Sequence, residues 1–479
     1  MLIALCLIPL LAGGVAFALR SNTQRLSLLV LTALAHFLLV ASCWLKLPAP
    51  TPSGWLALDA LGLLFLTLVS VLFLCASLYA IGYLRQEDHG SNRVFVGCLL
   101  AFLSAMTLVT VSHHLGLLWV AIEATTLASA PLIYFHHSQR SLEATWKYLL
   151  ICSIGIALAL LGTFFVAIAG TGPAAAEPSL LLEKLMANAA NLNLPWLKGA
   201  FIFLLVGYGT KMGLAPLHTW LPDAHSEAPS PVSALLSGAL LNCAFLGILR
   251  VFQICAAASL KHFAQELLVL FGLLSLLIAA AFLLRQSDYK RMLAYSSVEH
   301  MGILALGVGL GGAATYGAML HAVNHSLAKA LLFFAAGNIL LSYKTKSAAS
   351  VRGVLHRLPI TGWLFLGGFL AITGSPPFGP FLSEFTILNA AVTQGQIGIA
   401  AIYLSLLAVV FLGMGSVVLP MVQGGSEEAV PLPLALPSSW MLNGVPLLLM
   451  AGVLMLGLYV PSGLQNVLTG ASALLGGAP

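Results

Sequence analysis

Glu123, Lys211, His300, His325, Lys329 and Glu384 stand inside long apolar stretches. A charge at the bilayer centre costs roughly 2.5–3.5 kcal/mol even on lenient insertion scales, so such residues read as proton- or ion-handling groups. Lys211 lies in Gly207-Tyr208-Gly209-Thr210-Lys211-Met212-Gly213-Leu214-Ala215-Pro216-Leu217-His218-Thr219-Trp220-Leu221-Pro222-Asp223. Glycines and prolines there loosen backbone hydrogen bonding that lipid cannot replace, so the segment must be covered by protein or line a cavity. Near an interface Lys211 would snorkel instead. The apolar runs on both sides favour a buried lysine, a group that changes protonation readily with its surroundings. Glu123, at comparable depth, is its expected counter-charge, either in a proton relay or in a structural ion pair.

The second half carries its own polar set. Glu299-His300 lies in one apolar run; His321, Asn324, His325 and Lys329 lie in the next. His321, His325 and Lys329 recur at i, i+4 and i+8 and so share one helical face. A lone histidine would read as a satisfied core residue. A histidine stripe ending in lysine can instead pass a proton through intervening water. His-x-x-x-His can also chelate, but no third ligand stands near it in sequence, so no metal is expected. Glu384 follows a second break, Thr373-Gly374-Ser375-Pro376-Pro377-Phe378-Gly379-Pro380-Phe381, where a helix N-terminus favours an anion. Asp59, His218, His225 and Glu299 are possible further relays. For Asp59 the competing reading is an interfacial helix cap. For His218 and His225, with Asp223 and Glu227, it is a solvated loop.

Positioning these groups requires a helical membrane bundle. Charged residues are 7% of the chain and apolar runs recur from end to end, giving an all-α integral membrane protein of about 14 transmembrane helices. Loops after odd-numbered spans hold Arg20, Arg25, Arg85, Arg93, Arg140, Lys147, Arg285, Lys290, Arg291, Lys344, Lys346, Arg352 and Arg357. Those after even-numbered spans hold only Lys46, Lys184, Lys198 and Lys261, with Arg250 at a helix end. Positive residues stay cytoplasmic, so both termini are expected on the outer side. The breaks fall in predicted helices 7 and 12. That odd separation means a duplicated unit would be inverted, as in many transporters.

Other chemistry is disfavoured. The basic residues are scattered among short loops, which argues against nucleic acid. The seven cysteines show no C-x-x-C spacing and read as buried apolar thiols. Met1-Leu2-Ile3 lacks a basic segment before Arg20, so the first span is expected to remain rather than be cleaved. No cofactor fingerprint appears, and none is expected to bind.

Pro216-Leu217-His218-Thr219-Trp220-Leu221-Pro222-Asp223-Ala224-His225 and Ala228-Pro229-Ser230-Pro231-Val232-Ser233-Ala234 resemble the signature of proton-conducting antiporter-like subunits. Such subunits occur in respiratory complex I, Mrp-type antiporters and membrane-bound nickel–iron hydrogenases. Ala294-Tyr295-Ser296-Ser297-Val298-Glu299-His300-Met301-Gly302 and Asn324-His325-Ser326-Leu327-Ala328-Lys329-Ala330 are similar to the motifs of the tenth and eleventh spans. Ile122-Glu123-Ala124-Thr125 and Ser141-Leu142-Glu143-Ala144-Thr145-Trp146-Lys147-Tyr148 look most like hydrogenase-4 component F.

The resemblance implies two inverted five-helix repeats, 93–256 and 257–422, between N-terminal helices 1–92 and a loop with a last helix, 423–479. It implies a Glu123–Lys211 pair, a bridge through Lys329 and the histidines, and Glu384 as terminal group. Many relatives carry a lysine where this chain has Asn242; an asparagine relays only through water. No long lateral helix is expected after the last span. The implied function is proton translocation in a hydrogenase-4-like oxidoreductase complex of a prokaryotic inner membrane, with other membrane subunits and a peripheral redox arm as partners. The alternatives are a Mrp-type cation/proton antiporter subunit, a quinone-reducing NADH dehydrogenase subunit, and a scaffold that transports nothing.

Overall fold

The computed structural model describes residues 1–87, 90–171, 179–284, 286–424 and 440–477. Arg285, used above as a loop residue, lies outside them. Helices dominate: α1 (Leu2–Ala18), α2 (Asn22–Leu45), α3 (Ala60–Gln86), α4 (Arg93–Val111), α5 (Leu115–Ile133) and α6 (Gln139–Ala169). Next come α7 (Leu182–Ala187), α8 (Leu194–Met212), α9 (Trp220–Glu227), α10 (Ser230–Leu235), α11 (Leu241–Ala257) and α12 (Lys261–Leu283). The chain continues with α13 (Tyr289–Leu310), α14 (Ala313–Tyr343), α15 (Val354–Arg357) and α16 (Pro359–Ile372). It closes with α17 (Gly379–Thr393), α18 (Ile397–Gln423), α19 (Trp440–Leu458) and α20 (Ser462–Ala473). A π-helical turn, Leu236–Leu240, joins α10 to α11.

Among the described residues, 11 helices are long and apolar enough to cross a membrane. Reaching fourteen requires α1 and the interrupted pairs α8–α9 and α16–α17 to cross as well. α1, α16 and α17 fall short of 18 residues, and α8, at 19, is diluted by Lys198, Lys211 and Pro195. The short α20 was not foreseen; it packs against α3 and α14.

Burial sorts the helices. The apolar windows of α10–α11 and α13 are 100% buried, against 28% for α18 and 33% for α2. Outward leucines such as Leu31, Leu412 and Leu448 face lipid, as apolar as they are, so burying them would gain little. Close packing instead relies on small residues. Gly155 meets Gly207 between α6 and α8, and Gly272 meets Gly302 between α12 and α13, where an added Cβ would run into backbone.

The two breaks end their first halves in the same way. Gly213 (φ 86) and Gly374 (φ 67) adopt the left-handed conformation that favours glycine. After each, an amide reaches five residues back: Leu214 N–H to Gly209 O at 2.8 Å, and Ser375 N–H to Leu370 O at 3.0 Å. Trp220 Nε1 donates to Thr210 O at 2.8 Å, and Ala215 N–H donates to Ser275 Oγ at 2.9 Å. Asn324 Nδ2 donates to Gly379 O at 2.7 Å in the second break. Protein thus covers the irregular backbone, as membrane depth demands.

Candidate functional site

Lys211 sits in the last turn of α8, fully buried. Its ammonium donates to Thr126 Oγ1 of α5 at 2.8 Å and to Tyr148 Oη of α6 at 2.5 Å, and lies 4.4 Å from the Tyr148 ring centroid. Thr126 Oγ1 in turn donates to Glu123 Oε2 at 3.2 Å. Glu123 and Lys211 are therefore not in direct contact: one turn of α5 places a hydroxyl between them, and the half-buried Glu123 faces that hydroxyl. Tyr148 is held by Ser129 Oγ at 2.6 Å. Thr126 and Tyr148 were not singled out from sequence, because hydroxyls in helices are too common to signal anything by themselves. Only Tyr148's position next to Lys147 in the quoted motif could have pointed to it.

The second cluster assembles α13, α14 and α17. Glu299, His300, His321, Asn324, His325 and Lys329 are all buried. His300 Nδ1 and His321 Nε2 are 2.9 Å apart, and His321 Nδ1 lies 2.9 Å from Ser383 Oγ, next to Glu384. The His300 and His325 rings are 5.1 Å apart between centroids. Lys329 Nζ donates to Leu293 O at 2.8 Å, and Ser296 Oγ donates to Glu299 Oε2 at 3.3 Å. Glu384 lies in the second turn of α17 with its carboxylate against Gly374 of the break. Both ring nitrogens of His325, Asn324 Oδ1 and Glu384 Oε1 find no hydrogen-bond partner among the described residues.

Between the clusters stands Asn242 of α11, buried. Its Nδ2 donates to Gly238 O at 2.9 Å and to Ser326 Oγ at 2.8 Å, while its Oδ1 has no partner among the described residues. Asn242 thus touches α14 one residue from His325. No hydrogen bond joins it to Lys211 among the described residues.

Sequence spacing showed no third ligand near His321 and His325, but spacing does not report contacts between helices. The fold brings Glu384 to His300 and His321, with potential ligand atoms all within 4.8 Å of one another. The histidines are already bonded to each other and to Ser383, an arrangement that also suits proton exchange.

The other candidates separate. His225 is fully buried, stacked between Phe333 (5.5 Å) and Trp220 (6.3 Å), and His218 is 5% exposed, so neither belongs to a solvated loop. Asp223 instead pairs with Lys147 (3.1 Å) and Arg291 (2.7 Å), and Glu227 with Lys346 (2.6 Å). Asp59 caps α3 by accepting from Gly62 N–H at 2.8 Å. It also takes both Arg250 terminal nitrogens, at 2.6 and 2.8 Å. Burial alone would push its carboxyl up, but the Arg250 cation outweighs burial and holds it below the usual carboxylate range. His113, 3.3 Å from Arg250, is pulled down to about 4 by burial and by that cation. The Asp59–Arg250 arrangement fits a structural clasp at the bundle's end.

The constellation resembles known proteins in the region that holds it. Residues 112–419 match the family described as NADH:quinone oxidoreductase/Mrp antiporter, TM. A hydrogenase-4 component F homolog of Methylacidiphilum infernorum is 37% identical over 424 residues, 86% of this chain and 87% of that protein. NADH-quinone oxidoreductase subunit N of Desulforudis audaxviator is 29% identical over 454 residues, 91% of this chain and 89% of that one. A chain of the archaeal membrane-bound sulfane sulfur reductase shares the fold, with TM-score 0.88 at 22% identity, covering 99% of this chain and 97% of that one. Since the matched region runs from the loop before α5 into α18 and takes in both breaks and both clusters, this multi-pass membrane chain belongs to the NADH:quinone oxidoreductase/Mrp antiporter transmembrane family.

Proposed function

We propose that this chain is the proton-translocating membrane subunit of a respiratory-type oxidoreductase complex of the hydrogenase-4 kind. One observation carries the reading. Glu123, Lys211, His300, His325, Lys329 and Glu384 come from five different helices yet gather in buried clusters inside an otherwise apolar bundle. Polar groups buried without partners each cost about 1–3 kcal/mol, and several lie along this row. Water between them would satisfy these atoms and carry protons.

In this reading redox work in partner subunits shifts charge at Glu123–Thr126–Lys211. The change passes through Asn242, Ser326 and Lys329 to the histidines and Glu384. The redox centres belong to those partners. Residues 93–256 and 257–422 act as two inverted halves, a division that the matching helix ends at Gly213 and Gly374 support. In this reading both termini lie on the outer side of a prokaryotic inner membrane, an orientation that the basic residues in loops after odd-numbered spans support. In the intact complex reconstituted into liposomes, Lys211→Met should abolish redox-driven proton uptake; transport at the wild-type rate would sink the reading.

The family also includes Mrp antiporters, so a gradient-driven cation/proton antiporter subunit is the second reading. Copurification decides between them: redox subunits support the first, small membrane subunits alone the second.

A further inference from the structure

A cavity of about 580 Å³, lined by none of the residues of the polar row, opens between α2, the end of α3, the start of α4 and the turn after α5. Its lining is graded. Asn22, Arg85 and Asn92 stand at the end where α2 and α4 begin and α3 stops, while Leu26, Val30 and Ile81, further along α2 and α3, form apolar wall. Along α2, Asn22 and Val30 are eight residues apart, about 12 Å of helix rise. One end of the cavity is therefore polar and charged, and the rest, apart from Ser27, apolar.

Charge picks out the polar end. Arg85 is exposed and makes no hydrogen bond or ion pair among the described residues. Arg25 is 2% exposed, and its guanidinium donates only to neutral oxygens. These are Asn22 Oδ1 (2.7 Å), Asn92 Oδ1 (3.1 Å), Ser91 Oγ (3.4 Å), Leu19 O (2.7 Å) and Arg20 O (3.2 Å). No described carboxylate pairs with it. Two of its partners, Asn22 and Asn92, line the cavity. Two positive charges without a counter-ion among the described residues thus flank the polar end, and a buried cation is favourable only when compensated. On the outward side of α2, Leu31 is 64% exposed and Leu38 59%, a flank suited to lipid.

We propose that this cavity is a binding site for an anionic phospholipid, with the phosphate at Arg85 and the Arg25–Asn22–Asn92 cluster and an acyl chain along Leu26, Val30 and Ile81. A soluble anion would leave the apolar wall unused; an uncharged amphiphile would leave both cations uncompensated. Basic pockets between membrane helices bind acidic head groups for this reason, at a gain that corresponds to about fivefold in affinity per well-placed cation.

The test is native mass spectrometry of the full chain with phosphatidylglycerol and phosphatidylethanolamine of identical acyl chains in competition. Wild type should retain phosphatidylglycerol with a preference of about tenfold or more. Arg85→Gln should lower that preference about fivefold. Val30→Trp, which fills the apolar wall and leaves both cations, should cut retention of either lipid. Arg140→Gln, at another exposed basic position, should change neither. Equal retention of the two lipids by wild type, a preference unchanged by Arg85→Gln, or retention unchanged by Val30→Trp would overturn the proposal.

Discussion

Lys211 reaches Glu123 only through Thr126, whose hydroxyl accepts from the ammonium at 2.8 Å and donates to the carboxylate at 3.2 Å. A direct ion pair would hold its charges together by Coulomb attraction. An intervening hydroxyl weakens that grip and supplies an atom that both accepts and donates a proton.

Thr126→Val keeps the volume and removes the link. Redox-driven proton uptake by the reconstituted complex should fall about tenfold, the equivalent of ~1.4 kcal/mol on a barrier, with assembly intact. Thr126→Ser should restore most of it. Equal rates for the valine and serine variants would show that the hydroxyl is a bystander.

Asn242 joins α11 to α14 through Ser326. Asn242→Leu should slow transport and lower stability by about 1–3 kcal/mol, since Asn242 and its partners Ser326 and Gly238 are buried. Thermal unfolding and dye-reported proton uptake on the same preparation separate the two effects. A variant that loses stability but transports normally would place the inter-half route elsewhere.

Gly374 faces the Glu384 carboxylate so closely that a methyl group would overlap it. Gly374→Ala also forces an L-residue into φ 67, a cost of about 1–2 kcal/mol. The outcome expected is an assembled complex with transport reduced as far as in Glu384→Gln. Normal transport in Gly374→Ala would show that the position of Glu384 does not matter.

Asp59→Asn keeps a capping oxygen for Gly62 but strips Arg250 of its anion. Because Asp59 is partly exposed, the loss should be about 1–3 kcal/mol, below that of a wholly buried pair. It should read as a lower melting temperature, with transport by the folded fraction unchanged. A transport defect at unchanged stability would return Asp59 to the relay candidates.

His113 makes the same end of the bundle sensitive to acid. Its folded value of about 4 lies below the unfolded value of about 6.5, so the fold favours the neutral ring. Its contribution is complete above pH ~6.5 and is lost as pH falls through ~4. Asp59, also held low, adds to the loss only below its ordinary carboxylate range. Melting temperature should therefore decline from pH ~6.5 toward ~4, and His113→Gln should flatten that limb. An identical slope in the variant would put the sensitivity elsewhere.

Much of this was legible in one dimension. Apolar run length determined a helical membrane bundle, because a bilayer tolerates no unpaired backbone. The rarity of charge in those runs singled out Lys211, Lys329 and Glu384, and the glycines and prolines around Gly213 and Gly374 marked both breaks. Helical spacing put His321, His325 and Lys329 on one face. Only the tertiary structure decided who meets whom across helices. Thr126 between Glu123 and Lys211, Asn242 on Ser326, and His300 and Ser383 on His321 join residues distant in the chain. So does the clasp of Asp59 by Arg250. Hydrogen bonds of 3 Å depend on helix rotation and depth to within about an ångström, whereas sequence periodicity specifies only a face. That limit of one-dimensional pattern is why the titratable groups could be named from the chain and the hydroxyls and amides that connect them could not.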